Sequence, residues 1–258
     1  MVSETAKYEG EMSPIEASAI SPAQVGISDA VDDVSPALRP SEYTAALIQV
    51  LRARAAWVRG ANALEIGSGS GVVLAALGAL GAVSLCGIDI EPDAMPSGRQ
   101  LLRKVCRDRC VELHQGDMWL PVDGRRFDLI AANLPHFPMA PTAAVNERLP
   151  SWSSGGPNGR RLLDRFLIGL AAHLAPGGRA VITHNAFIGL ERSRAMLEEA
   201  GFALRVAASV LVNIPGPKLE LMTPAILRAE EGRSIHRYGP YAFGELHVVE
   251  IAAPDALD

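Results

Sequence analysis

The sequence predicts an α/β fold, a mostly parallel sheet with helices on both faces, and three observations carry that prediction. Short apolar runs alternate with stretches of helical periodicity from residue 63 to residue 200. A glycine cluster, Gly67-Ser68-Gly69-Ser70-Gly71, separates the first apolar run from the first helical stretch, at a place where glycine lets the backbone turn sharply and approach a ligand. The last two strand-like runs, 202–212 and 245–251, have no long helix between them, so a terminal antiparallel pair is expected.

In chain order, residues 1–35 mix Glu4, Glu9, Glu11 and Glu16 with serine and proline, a composition expected of a flexible arm. This arm lacks the basic start and apolar segment of a signal peptide. Residues 36–258 are expected to form one domain. Ser41 and Thr44 open a helix toward Gly60. Strand and helix then alternate: 63–66 with 72–80, 84–88 with 97–105, 111–115, 127–132 with 162–174, and 178–184 with 190–200. Such an alternation implies parallel strands joined by crossovers. Residues 215–240, with a short helix at 224–231, read as an insertion that serves as a lid or a contact surface.

Composition narrows the function. A chain of 258 residues, 48% hydrophobic and 21% charged, suffices for one α/β domain with a buried core. Its formal net charge of -5 disfavours nucleic acid as a partner. Three cysteines form no paired framework, which points to a reducing compartment and a cytoplasmic location. The apolar stretch 72–85 is broken by Gly78 and Gly81 and is shorter than the roughly 20 residues that span a bilayer, so no membrane segment is expected. His114, His173, His184, His236 and His247 lack metal-ligand spacing, and no metal is expected.

The residues flanking the glycines select the cofactor. A dinucleotide fingerprint places a third glycine where Val72 stands, and Glu65, two residues before the loop, would repel a pyrophosphate. A cationic ligand reverses the argument, because a carboxylate favours the ammonium and sulfonium groups of S-adenosylmethionine. Asp89 ends the second strand, where an acid can take both ribose hydroxyls. Asp117 ends the third and could take the adenine amino group. In identity, order and spacing this set resembles the class I S-adenosylmethionine-dependent methyltransferases. That resemblance implies a Rossmann-like, mostly parallel seven-stranded sheet with one antiparallel strand, and cofactor contacts from Glu65, Gly67, Gly69, Gly71, Asp89, Asp117 and Asn133.

After the fourth strand, Asn133-Leu134-Pro135-His136-Phe137-Pro138 resembles the Asn-Pro-Pro-Tyr corner of methyltransferases that modify planar nitrogens. Such a nitrogen is a poor nucleophile because its lone pair is delocalised, so positioning does most of the catalytic work. The resemblance makes Asn133, Pro135 and His136 the catalytic candidates. The Asn133 side-chain oxygen and the Leu134 carbonyl would accept the acceptor's N–H groups, Pro135 would fix that carbonyl, and His136 would stack on the planar substrate. Leu134, His136, Phe137 and Trp152 are the substrate-binding candidates, with 137–157 enclosing the substrate. A second segment, Gly155-Gly156-Pro157-Asn158-Gly159-Arg160 followed by Leu162-Leu163-Asp164, resembles the release-factor and protein glutamine N5-methyltransferases over residues 36 to 212. That family carries an upstream helical domain for its release factor, which 35 polar residues do not supply. The expected function is therefore S-adenosylmethionine-dependent N-methylation of a planar amide or amine nitrogen in a small metabolite or natural-product intermediate. A protein glutamine amide, an RNA base, and a non-catalytic cofactor-binding regulator are the alternatives, and the oligomeric state is not legible.

Overall fold

The computed structural model describes residues 39–139 and 153–257. The expected arm at 1–35 lies outside the described residues. Strands β1 (Asn62–Ile66), β2 (Ser84–Asp89), β3 (Cys110–Gln115), β4 (Phe127–Ala132), β5 (Leu174–Asn185), β6 (Ala203–Ile214), β7 (Ile235–Tyr238) and β8 (Tyr241–Ala252) form one sheet. Its order is β3-β2-β1-β4-β5-β8-β6, with β7 paired to β8. β1 to β5 pair in parallel, and β8 runs antiparallel to β5, β6 and β7. This is the expected fold with an eighth strand added. β7 escaped the sequence pattern because His236, Arg237 and Tyr238 leave only Ile235 buried, whereas its pairing through Gly239 and Pro240 to β8 is a matter of hairpin geometry.

The helices are α1 (Glu42–Ala53), α2 (Ala55–Val58), α3 (Val72–Leu80), α4 (Ala94–Val105), α5 (Arg161–His173), α6 (Leu190–Glu199), α7 (Gly216–Glu220) and α8 (Pro224–Glu230). Strand residues alternate between two apolar layers, as a period of two requires. Ala63, Leu85, Leu129, Ala131 and Val181 pack with Leu47 and Leu51 of α1, Leu74 and Leu77 of α3 and Leu102 of α4. Leu64, Ile88, Ile130 and Ile182 pack instead with Leu163, Phe166 and Leu170 of α5 and Leu197 of α6. The central strands are thus buried on both faces, which explains why they read as continuous apolar runs.

Two features place the site. Strand order reverses between β1 and β4, which opens a crevice at the carboxyl ends of these strands. α1 is tied across that sheet by charge as well as packing: Arg54 Nε donates to Glu250 at 2.7 Å, and Arg205 Nη2 reaches the other carboxylate oxygen at 2.7 Å. Glu250 is wholly buried, so the two guanidinium groups supply the compensation that a buried carboxylate needs. Among the described residues, no helix is long and apolar enough to cross a membrane.

Candidate active site

A cavity of about 750 Å³ occupies the crevice. Its floor is the glycine loop, which is stitched to β2 by bonds from the Gly67 and Ser68 N–H groups to the Ile88 carbonyl at 2.8 and 3.0 Å. Gly71 caps α3 at φ +79°, and a Cβ there would stand 3.1 Å from Gly98 Cα in α4. Both the left-handed conformation and the close approach require glycine at this position. Gly67 and Gly69 also have positive φ.

Glu65 lines this cavity from the penultimate position of β1, 2% exposed, and its Oε2 has no hydrogen-bond partner. Burial holds its carboxyl well above the usual range, a bond from the Leu74 backbone pulls it back, and the nearby Asp89 adds to the rise. An orphaned buried carboxylate oxygen beside a loop whose glycines take left-handed backbone conformations fits a cationic ligand such as S-adenosylmethionine. Asp89 Oδ2 accepts from Gly69 N–H at 2.7 Å and Oδ1 from Glu91 N–H at 2.9 Å. These bonds aim the carboxylate while leaving each oxygen a lone pair for a ribose hydroxyl. Burial raises its pKa. Asp117 lines the same cavity but is half-exposed and paired with Arg165 of α5 at 2.8 Å.

Asn133 leaves β4 directly into the cavity. Its side-chain oxygen accepts the Thr183 hydroxyl of β5 at 2.8 Å, and its nitrogen reaches Thr44 of α1 at 3.5 Å. Leu134, Pro135, His136 and Phe137 all line the cavity as well, but not in the manner of a free carbonyl and a stacking ring. His136 is 4% exposed and its Nδ1 bonds the Leu134 carbonyl, the same oxygen expected to receive the acceptor. The ring is lowered to a pKa of about 4, chiefly by burial and further by the field of Lys218, so it is neutral near pH 7. Phe137 is 2% exposed and packs edge-on against Phe187, which makes it core as much as wall. Trp152 lies outside the described residues.

Several wall residues carried no sequence signal. Tyr43 of α1 stands edge-on to His136 at 5.8 Å between ring centroids and donates its hydroxyl to Asn185 at 3.0 Å. Asn185 ends β5 and donates to the His136 carbonyl at 3.4 Å. Glu91 and Lys218 also line the cavity. These residues come from elements far apart in the chain, and only the sheet order brings them together.

The Gly155–Arg160 segment supports the corner from behind. Phe137 N–H donates to Ser153 O at 2.9 Å, Gly155 N–H to Phe137 O at 2.8 Å, and Met139 N–H to Gly156 O at 3.0 Å. A Cβ on Gly159, at φ +75°, would lie 2.8 Å from the His136 carbonyl. Arg160, 3% exposed, then binds Asp164, the Ile188 and Gly189 carbonyls and the Ser193 hydroxyl. Elsewhere, ligand atoms of Cys86, Glu112 and His114 come within 4.8 Å of one another. Arg125 already bonds both Glu112 oxygens, and burial pushes the Cys86 thiol up to about 11, against the thiolate a metal ion requires.

Comparison with known proteins places this geometry. A model described as a methyltransferase domain matches residues 63–156. A Methanocaldococcus jannaschii protein provisionally named a protein N5-glutamine methyltransferase is 28% identical over 155 residues, covering 60% of this chain and 77% of the relative. Human methyltransferase HEMK2 is 32% identical over 151 residues, covering 56% of this chain and 69% of the relative. Among solved structures, the E. cuniculi Mtq2-Trm112 complex, described as responsible for methylation of the eRF1 translation termination factor, superposes with a TM-score of 0.54. It is 16% identical, covering 82% of this chain and 95% of the matched chain, a likeness of fold.

Proposed function

This chain belongs to the class I S-adenosylmethionine-dependent methyltransferases, of the type that includes HEMK2, and from that membership we propose that it methylates the side-chain amide nitrogen of a protein glutamine. The observation that carries the reading is Asn133, set at the cavity between Thr183 and Thr44. An amide nitrogen needs its N–H groups held so that its lone pair faces the electrophile, and a fixed side-chain oxygen does this. The Methanocaldococcus relative's name gives glutamine as the residue modified, whereas a small-metabolite acceptor finds no support among the relatives.

When bound, S-adenosylmethionine supplies a methyl group on a positively charged sulfur, and Glu65, Asp89 and the glycine loop are the residues that would hold it. The chain's own task is to present the acceptor. The Asn133 oxygen takes one acceptor N–H, with its second lone pair committed to Thr183. Pro135 restricts the backbone of the corner. His136 and Tyr43, edge-on to each other, form one side of the cavity in which that nitrogen is held. Once methylated, the amide nitrogen is a strong acid and gives its proton to water.

The test is incubation with methyl-labelled donor and separate protein, RNA and metabolite fractions, followed by mass spectrometry of the labelled species. Label on glutamine side chains is expected. Label on RNA, on metabolites or on lysine and arginine would refute the proposal.

A further inference from the structure

The cavity is electrically divided. Its carboxylates Glu65, Asp89, Glu91 and Asp117 stand at the ends of β1, β2 and β3, whereas Arg161 and Lys218 stand beyond β4 and β6. Arg39 and Glu42, of opposite charge, also line the cavity near the start of α1. The acidic half suits the cationic donor, which leaves the basic half for the acceptor.

Lys218 is the cation set deepest in that half. Its Nζ lies 4.6 Å from the Phe137 ring centroid and 5.9 Å from that of Tyr43. Among the described residues it has no ion pair and no side-chain hydrogen bond. Burial lowers its pKa, and Glu42 partly restores it. A half-buried ammonium seated on two aromatic faces is held in place, yet its donors have no partner among the described residues. Its field opposes an acceptor that carries an ammonium of its own and favours one that brings an anion.

Building on the glutamine reading above, we propose that Lys218 recognises a carboxylate carried beside the acceptor amide, so that the enzyme selects glutamines in an acidic setting. A carboxylate, a single charge that one ammonium can match, fits better than the polyphosphate backbone of RNA, which the chain's formal net charge of -5 repels. The carboxylate could come from an adjacent aspartate or glutamate, or from a chain end.

The test is binding of short glutamine peptides to the full chain saturated with S-adenosylhomocysteine, followed by NMR of ¹³C-labelled lysine. The Lys218 resonance is assigned by its loss in Lys218→Gln. The arms are N-acetylglutamine, with its free carboxylate; N-acetyl-Gln-Asp amide, with a side-chain carboxylate; and the neutral N-acetyl-Gln-Asn amide. Either carboxylate is expected to shift the Lys218 resonance and bind about tenfold more tightly than the neutral peptide. This ratio should fall to near one in Lys218→Gln and invert in Lys218→Glu. Equal affinities, a preference that survives the substitution, or a Lys218 shift produced by oligoribonucleotide alone would overturn the proposal. Methyl transfer to the same peptides is read separately. Transfer without acidic preference leaves the glutamine reading standing and removes the Lys218 role. Carboxylate binding at Lys218 without transfer to any glutamine does the reverse.

Discussion

The Thr183 hydroxyl donates to the Asn133 side-chain oxygen at 2.8 Å, across the register that pairs Ala132 with Ile182 on β4 and β5. The bond fixes the amide to which the proposed mechanism assigns acceptor positioning. Thr183→Val is therefore expected to lower kcat about tenfold with little change in donor affinity, and Thr183→Ser to restore most of it. Asn133→Ala is expected to cost about a hundredfold or more. Steady-state kinetics with calorimetric donor binding checks this; equal losses in kcat and in donor affinity would show that Thr183 merely supports the fold.

If Glu65 holds the donor as proposed, it gives donor binding a proton-linked signature. Burial keeps its carboxyl protonated above the usual range in the free protein, and a cationic ligand favours the ionised form. Binding of S-adenosylmethionine should release a proton, and its affinity should rise with pH from about 4.5 through the raised pKa. Calorimetry across pH 5 to 8 in buffers of different ionisation enthalpy measures the release. In Glu65→Gln the release should vanish and affinity fall by roughly tenfold to a hundredfold.

These two residues also mark how far the sequence could be read. The Glu65 to Gly71 run and the Asn133 corner are local, each on one strand end and the turn that follows, so their placement was legible from spacing. The Thr183, Tyr43, Asn185 and Lys218 contributions depend on which strands become neighbours: Tyr43 and Asn185 are 142 positions apart yet share a hydrogen bond. His136 illustrates the other limit. Its identity could be read, but its turn back onto Leu134 is a side-chain orientation set by packing under Tyr43. The β7 hairpin was missed because its burial comes from one residue, with no alternating pattern.

Arg160 and Gly159 separate stability from alignment. Arg160 satisfies an acid, two carbonyls and a hydroxyl from a nearly closed site, so Arg160→Met leaves several polar groups unpaired and should cost about 3 kcal/mol in urea unfolding. Gly159→Ala places a Cβ 2.6 Å from Ile188 Cγ2 and 2.8 Å from the His136 carbonyl at a positive φ. It should cost about 1–3 kcal/mol and also lower kcat by displacing the corner. A Gly159→Ala protein with unchanged kcat would show that the segment does not position His136.

The strongest pH dependence of stability should come from two buried histidines. Burial is the main cause in both: His136 is lowered to about 4 and His184 to about 3, with the latter's ring bonded to the Asn185 carbonyl and Ser193 hydroxyl. In the unfolded chain each takes up a proton near pH 6.5, whereas the folded chain refuses it until the lowered values are reached. The stability they provide is therefore complete above pH 6.5 and declines as pH falls toward 4, at up to about 2.7 kcal/mol per pH unit for the pair. Glu65 acts with the opposite sign, since the folded state retains its proton above the unfolded value near 4.5. Urea titrations at pH 7, 6 and 5 should accordingly be made in Glu65→Gln, where the histidines act without that opposition. His184→Asn should remove about half of the slope, and a stability flat between pH 7 and 5 in Glu65→Gln would show that both rings titrate normally in the folded protein.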